Sequence, residues 1–390
     1  MDNQPTPQFR PPKWIIIASV IAIIIGIFAL IIGFIFAPKD AWLWLLVNFL
    51  FFSGTANGML AWAATFRVSQ ARWTPAVIRL QHCALYFAPV MAIILIILMA
   101  GINNYVPWIE HPVNGKTAWL NAPFMISRDL ALMFILWGIF LAMVRRSLYL
   151  DAKDDITSRD HYKFTAISVA AIMSYTIVAT VIAWDLIMSL SPEWISTMFG
   201  PYYWITNMYA GLAVTILLAA ALRKPLGVEN YIKSQQFQDM GNMMLGFSLF
   251  SMGLFFAQYL TIWYENLPEE TGFLIVRYLR GSWPWVGWPA LIVGYAIPFI
   301  LLQSKYIKQR PRLLAPIAVM AIIGVGVERY VLVVPSIESQ RLFIYPLSIL
   351  STLAFAGAFV LAVLAFLRRY PPVSRAQEAL REMDRSEAET

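Results

Sequence analysis

The chain has 390 residues, of which 59% are hydrophobic and only 13% are charged, and its mean hydropathy is +0.65. Soluble domains carry roughly 25% charged residues, so this composition excludes a soluble globular protein. The net charge of +7 comes mainly from short basic loops between apolar stretches, a distribution that argues against nucleic acid as a partner.

Ten apolar stretches follow one another along the chain. Each is long enough to cross a hydrocarbon core of about 30 Å as a helix of roughly 20 residues, so the sequence predicts an all-α polytopic membrane protein. The first stretch is too long for a signal peptide and no small-x-small site follows it, so we expect it to be retained. The predicted spans are Trp14–Ala37, Ala41–Phe66, Leu80–Ala100, Ser127–Val144, Phe164–Leu190, Gly200–Leu222, Gly241–Tyr264, Trp283–Gln303, Leu313–Val334 and Pro346–Leu367.

The chain has no low-complexity segment and no internal repeat visible by eye. We therefore expect one ten-helix membrane domain over residues 14–367, an N-terminal arm over 1–13 and a C-terminal tail over 368–390. The tail is polar and of mixed charge, so we expect a solvated arm or a short helix.

Basic residues predict the orientation of the helices. The N-terminus, the four even-numbered loops and the C-terminal tail hold 22 of the 29 Lys and Arg, whereas the odd-numbered loops hold few. Cytoplasmic loops carry the excess of Lys and Arg, so we expect both termini to lie in the cytoplasm.

The chain offers few ligands for a redox metal. It has a single cysteine, Cys83, which excludes a disulfide framework and a thiolate iron–sulfur site. Of its three histidines only His82 lies in a predicted span, while His111 and His161 lie in loops, which excludes a bis-histidine haem within this chain. We expect the chain to bind no metal and no redox cofactor of its own.

Two groups of polar residues lie near the ends of predicted spans. His82 begins one group, and Tyr86 follows one turn later on the same helix face, so the two could carry a proton. A histidine whose ring is hydrogen-bonded to a neighbouring carbonyl is the alternative.

Arg128 and Asp129 open the fourth span, and Asp185 lies at the end of the fifth. If these helices are neighbours, Arg128 and Asp185 approach each other as a site for a quinol proton or as a structural ion pair.

The seventh span carries a polar stripe at a spacing of seven residues, Ser251, Gln258 and Glu265. Seven residues return to nearly the same helix face, so the stripe lines one side, and Asn48 and Thr55 repeat the spacing in the second span. Such a stripe is typical of interhelical hydrogen bonds and also of a hydrated proton path.

Gly54 and Gly58 form a small-xxx-small pattern in the second span. Small residues at this spacing allow two helix backbones to approach closely, so the pattern predicts a tight contact with another helix.

Three stretches resemble the NrfD/polysulfide-reductase family of membrane subunits, and within it the ten-helix subunits of bacterial alternative complex III. They are Trp119–Arg128 (WLNAPFMISR), Asp185–Tyr202 (DLIMSLSPEWISTMFGPY) and Gln258–Thr271 (QYLTIWYENLPEET), the last preceded by Asp239-Met-Gly241. The second and third stretches are long and unusual. The ten-span layout of the family covers almost the whole chain.

The resemblance implies two four-helix bundles, spans two to five and six to nine, flanked by two further helices. It implies a quinol:electron-acceptor oxidoreductase, with menaquinol or ubiquinol as substrate and with haem c and iron–sulfur clusters on partner subunits. The implied partners are a paralogous NrfD-like membrane subunit, a periplasmic iron–sulfur subunit and c-type cytochrome subunits.

Residue by residue, the resemblance points to Asn121, Arg128, Asp129 and Asp185 as quinol-site candidates. It adds a proton path through the bundles, with the candidates His82, Tyr86, Ser251, Gln258 and Glu265. Two departures stand out: Trp184 precedes Asp185 where the reverse order is usual, and Gln238 replaces a frequent histidine. The short tails and modest length favour an ActF-like over an ActC-like copy.

Two other classes of function fit the same composition. A secondary transporter or ion carrier would suit ten helices with a polar stripe, although no pair of broken helices recurs in matching halves of the sequence. In a purely structural membrane anchor, the same polar residues would only form hydrogen bonds and ion pairs with one another.

Overall fold

A computed structural model describes residues 9–113, 115–153, 155–339 and 346–379. This part of the chain consists of helices joined by turns, and it contains no strand. Ten helices are long and apolar enough to span a bilayer, which confirms the predicted all-α polytopic fold. They are α1 Lys13–Phe36, α2 Pro38–Val68, α3 Pro75–Ala100, α4 Ala122–Asp151, α5 Ser158–Leu190, α6 Phe199–Leu222, α7 Ser234–Glu265, α8 Pro284–Leu301, α9 Pro311–Ser336 and α10 Leu347–Arg369.

Several helices extend beyond the apolar stretches because polar residues cap them. At the start of α4, the Asn121 side chain accepts a hydrogen bond from the Phe124 backbone N–H. At the start of α5, Thr157 and Asp160 form a capping box. Such caps satisfy the backbone N–H groups that the first helical turn leaves without a partner.

The helices alternate in direction, so the connections lie at two ends. The basic end is formed by the connections over residues 69–74, 152–157, 223–233 and 302–310. The distal end is formed by the connections over residues 101–121, 191–198 and 266–283.

Eight of the helices form two rings of four. In the first bundle α2 contacts α3, α3 contacts α4, α4 contacts α5, and α5 closes the ring against α2. In the second bundle α6, α7, α8 and α9 repeat this arrangement. The helices α2 and α5 of the first bundle contact α6 of the second, and α2 also contacts α9. The two bundles implied by the resemblance are therefore present, and they share an extensive interface.

The predicted tight contact at the small-xxx-small pattern is confirmed, and it lies between the two bundles. A Cβ atom added to Gly58 would lie 2.3 Å from the backbone oxygen of Asn207, and one added to Gly54 would lie 2.3 Å from the side-chain oxygen of the same residue. On the facing helix, a Cβ atom on Gly211 would lie 2.6 Å from the Met59 nitrogen. Only glycine allows the backbones of α2 and α6 to approach this closely.

The helices α1 and α10 form a pair that flanks the bundles. They pack on each other along their length, and α10 also contacts α2 and α3. Gly26 lies against the backbone of Ala354, and Gly357 lies against the backbone of Ser19. Most of the remaining surface of α1 is exposed and apolar, as expected of a helix that faces lipid.

The first part of the C-terminal tail lies folded across the basic end and includes a short helix over residues 375–379, so the expectation of a short helix is confirmed and that of a solvated arm is wrong for these residues. The Ser374 N–H donates to the Pro75 carbonyl at 3.1 Å, and the Gln377 side chain donates to the Ala71 carbonyl at 2.8 Å. Both side chains are fully buried. Buried polar groups that find partners in the same chain explain why this polar segment docks. Residues 380–390 and 1–8 lie outside the described part of the chain, and the expectations for them stay open.

Two buried arginines lie under this segment. Arg79 pairs with Asp151, whose other carboxylate oxygen accepts from the Arg375 N–H at 2.9 Å. Arg67 lies 2.9 Å from Nδ1 of His161. The C-terminal segment therefore covers two charged side chains, Arg67 of α2 and Arg79 of α3, and provides part of their polar environment.

Candidate functional site

Asp185 lies at the distal end of α5 and is fully buried. Arg128, from the first turns of α4, donates to its Oδ2 atom from Nε at 2.9 Å and from Nη2 at 2.6 Å. The indole N–H of Trp119 donates to the other carboxylate oxygen at 2.8 Å. The ion pair expected between α4 and α5 is present. We refer to Trp119, Arg128 and Asp185 as the distal triad.

Aromatic rings hold the Arg128 guanidinium in place. It lies 3.9 Å from the centroid of the Trp119 ring and 4.6 Å from that of Phe124. Cation–π contacts of this kind are strongest when the cation is removed from water, and only 9% of the Arg128 side chain is exposed. The distal triad is therefore a rigid group in which both charges are oriented.

Asp129, the next residue of α4, has a different environment. It is fully buried, and neither carboxylate oxygen accepts a hydrogen bond from any described residue. Its Oδ1 atom lies 3.9 Å from Arg128 Nε, and its carboxyl group interacts with that of Asp185. Two carboxyl groups beside one arginine form a site where a proton can be shared.

A cavity of about 450 Å³ opens at the distal end beside the distal triad. Its walls are mainly apolar and include Trp119, Trp184, Met188, Trp194 and Ile195. The Trp119 indole both lines the cavity and donates to Asp185, so one ring separates the cavity from the carboxylate. Apolar cavities with a few convergent polar groups are the usual form of small-molecule sites.

Asn121, another quinol-site candidate, serves as the N-cap of α4. It is exposed, and its side chain accepts from the Phe124 N–H at 3.4 Å. The structure therefore brings Arg128, Asp129 and Asp185 together and leaves Asn121 in a capping role.

Arg277 connects the wall of the cavity to the second bundle. This fully buried guanidinium donates to the Phe273 carbonyl at 2.9 Å and to the Ser336 hydroxyl at 2.6 Å, and Ser336 in turn lies 2.9 Å from the Ser191 hydroxyl. Burial lowers the pKa of the Arg277 guanidinium. Trp194 of the cavity stacks on Phe273 with ring centroids 3.6 Å apart.

His82 and Tyr86 do not form the expected pair. The chain changes from an α-helix to a 3-10 helix at Cys83–Phe87, and a 3-10 helix has three residues per turn, so a spacing of four no longer returns to one face. His82 is buried, and its Nδ1 atom has no hydrogen-bond partner among the described residues. The Tyr86 hydroxyl lies 3.3 Å from the hydroxyl of Tyr370 on the segment after α10.

The stripe on α7 is only partly buried. Ser251 is buried and donates to the Phe247 carbonyl of its own helix. Gln258 is buried, and its amide nitrogen has no partner among the described residues. Glu265 is the last residue of α7 and is exposed, so the stripe ends before it. The heptad spacing is correct, but its last position lies at the exposed end of the helix.

Sequence reasoning missed a cluster formed by α6, α8 and α9 of the second bundle, which reaches α2 of the first bundle through Asn207. Glu328 on α9 accepts hydrogen bonds from the hydroxyls of Tyr202 and Tyr295, the latter at 2.6 Å. Arg329 donates to Thr206 at 2.5 Å and to Asn207 Oδ1 at 2.9 Å. We call these residues and Asn207 the interbundle cluster: Tyr202, Thr206, Asn207, Tyr295, Glu328 and Arg329. A charged dipeptide within an apolar stretch was the available signal, because such residues are rare in membrane spans.

Comparison of the chain with models of protein families found no match, and comparison with curated proteins found none either. A functional assignment therefore rests on the distal triad, the adjoining cavity and the interbundle cluster.

Proposed function

We propose that this chain is an integral membrane subunit of a quinol-oxidising electron-transport complex of the alternative complex III type, in its ActF-like form. The observation that carries this proposal is the apolar cavity of about 450 Å³ that shares Trp119 with the Asp185–Arg128 ion pair.

The chemistry of a quinol suits this arrangement. Its ring and isoprenoid tail are apolar, as are the walls of the cavity, while its two hydroxyls must lose protons when the ring is oxidised. Asp185 places a carboxylate, the proton acceptor of this proposal, within one indole ring of the cavity, and Arg128 orients it. Asp129 adds a second buried carboxylate beside the same arginine, 3.9 Å from the Arg128 Nε atom.

Electrons must leave to partner subunits in this proposal. Oxidation of menaquinol or ubiquinol releases two electrons and two protons. The electrons pass to a periplasmic iron–sulfur subunit and then to c-type cytochromes, and a paralogous NrfD-like subunit lies beside this chain in the bacterial inner membrane. Both termini face the cytoplasm, so the distal end faces the periplasmic partners. The basic loops of the basic end support this orientation.

A contribution to proton translocation is part of the proposal. The stripe residues Ser251 and Gln258 are buried within the second bundle, and the interbundle cluster adds a buried carboxylate with two tyrosine hydroxyls. Groups of this kind inside a membrane are typical of proton relays.

The test is quinol oxidation by the intact complex, purified in mild detergent from native membranes and checked by optical and EPR spectra. We expect Asp185→Asn to lower the turnover of a short-chain quinol at least tenfold, since an amide cannot accept the proton. The control is Glu110→Gln, which removes an exposed distal carboxylate and should leave turnover unchanged.

Two results would contradict the proposal. Normal turnover in Asp185→Asn, with all subunits and cofactors present, would reduce the chain to a structural anchor. Purification of a single colourless chain from gently handled membranes would favour a transporter instead.

A further inference from the structure

A second apolar groove lies between α3 and α4, away from the distal triad. Its volume is about 550 Å³, and its walls include Leu85, Ala92, Phe134, Trp137 and Gly138. A Cβ atom added to Gly138 would meet nothing within 4 Å, so the groove has open space beside this glycine. The groove opens on the side of the helices that a bilayer would cover.

Basic side chains lie at the end of this groove nearest the basic end. Tyr86 forms part of the wall, and its hydroxyl interacts with the guanidinium of Arg369 at the end of α10. On the other side, Leu141 also lines the groove, and Arg145 follows it by one helical turn on the same face of α4. Both arginines are exposed.

Neither arginine is neutralised within the described part of the chain. Arg145 and Arg369 have no carboxylate within 4 Å there, whereas the neighbouring Arg146 binds Asp160 at 2.6 Å and Arg79 is paired with Asp151. The nearby carboxylates are thus already engaged, and two cations remain at the mouth of an apolar groove.

We propose that this groove is a specific binding site for an anionic glycerophospholipid. One acyl chain occupies the groove, and the phosphate group lies between Arg145 and Arg369. Basic residues at the membrane surface attract anionic headgroups, and their side chains reach the interface from within the helix. A quinone carries no charge for the arginines to bind. This site is independent of the proposed quinol chemistry and of the distal cavity.

The first experiment measures lipid binding to the delipidated protein in its native assembly by native mass spectrometry. Phosphatidylglycerol and phosphatidylcholine with identical acyl chains are titrated separately. We expect phosphatidylglycerol to bind more tightly, and Arg145→Gln/Arg369→Gln to lower its affinity about fivefold for each arginine lost, with phosphatidylcholine unaffected. The matched control is Arg310→Gln/Arg312→Gln, at the basic end of the second bundle, which should keep the preference.

The second experiment fills the groove. Gly138→Leu places a side chain in the open space and should weaken the binding of both lipids, whereas Gly253→Leu, an exposed position on α7 with equal space, should not. Equal affinity of the wild-type protein for the two lipids would overturn the proposal. So would an unchanged affinity for phosphatidylglycerol in the arginine variant, which alters only exposed side chains and provides a test even if Gly138→Leu fails to fold.

Discussion

The two buried aspartates of the distal end, Asp185 and Asp129, differ in the hydrogen bonds that their carboxylates receive. Asp185 receives three hydrogen bonds from Trp119 and Arg128, while Asp129 receives none from the described residues. Removing one partner of a buried ion pair leaves the other charge uncompensated, which costs about 3–5 kcal/mol. The Asp129 carboxylate accepts no hydrogen bond from the described residues, so its substitution removes no such stabilising interaction.

Substitution by asparagine should therefore affect the free energy of unfolding differently at the two positions. We expect Asp185→Asn to lower the free energy of unfolding by about 3 kcal/mol or more, because Arg128 stays buried without its carboxylate. Asp129→Asn should change it by less than about 1 kcal/mol, since the amide has nearly the same shape and no donor is lost. Thermal unfolding in detergent measures both, and equal losses in the two variants would contradict this account.

Glu328 and Arg329 offer a second test, because Glu328 accepts hydrogen bonds from α6 and α8 while Arg329 donates to two residues of α6. Arg329→Met should destabilise the protein by about 3 kcal/mol, since Thr206 and Asn207 lose their donor and Glu328 loses its nearest cation. Adding Glu328→Gln should recover part of the loss, because the double variant no longer buries a lone carboxylate. A double-mutant cycle of unfolding free energies gives the coupling, and strict additivity would show that the two charges act independently.

The sequence predicted some of these contacts and missed others for physical reasons. Arg128 and Asp185 both lie at span ends on the same side of the membrane, so their proximity needed only adjacent helices. Glu328 and Arg329 were visible as a charged dipeptide, but their hydroxyl and amide partners come from other helices. For His82, spacing failed because a 3-10 turn interrupts the helix.

At the scale of helices, the contact between α2 and α6 determines how closely the bundles approach. Hydrophobicity predicted ten spans, because about 20 apolar residues are needed for each, but it did not predict the N-terminal extensions of α4 and α5 that Asn121 and Thr157 cap. The glycine pair predicted a close interhelical contact, and its partner helix became known only from the structure.

Gly58→Leu tests the importance of this contact. A side chain there would meet the Asn207 backbone, which cannot move away as a flexible side chain would, so we expect a loss of at least about 3 kcal/mol or a failure to fold. Gly253→Leu adds the same atoms at an exposed position and should be nearly neutral. Gel filtration and thermal unfolding of the two proteins provide the comparison, and similar stabilities would show that the bundles can separate without cost.

At the scale of the whole molecule, the two bundles, the flanking pair and the C-terminal segment form one packed unit. Periodicity did not predict the division into bundles; the resemblance to the NrfD-type family implied it. The docked segment was not predicted, because its polar composition is also that of a solvated arm. Its burial depends on carbonyl groups and charges contributed by α2, α3 and α4.

Truncation after Arg369 should therefore destabilise the basic end, and truncation after Ala379, which keeps the contacts of residues 370–379, is the comparison. The shorter protein loses the donor to Asp151 and exposes the buried Arg67 and Arg79, so we expect a lower unfolding temperature and faster proteolysis near residues 69–74. Limited proteolysis in detergent, followed by mass spectrometry, compares the two proteins. Equal cleavage rates would show that the segment does not protect this end.

The pairing of α1 with α10 also has a consequence for biosynthesis. The helix α1 leaves the ribosome before α10 and packs mainly on it, so α1 stays in the lipid, or with an insertion factor, while the eight helices between them are inserted. A nascent chain that stops before α10 leaves α1 without its partner and the buried arginines uncovered. Insertion of α10 and docking of residues 370–379 are therefore late steps in the assembly of this fold.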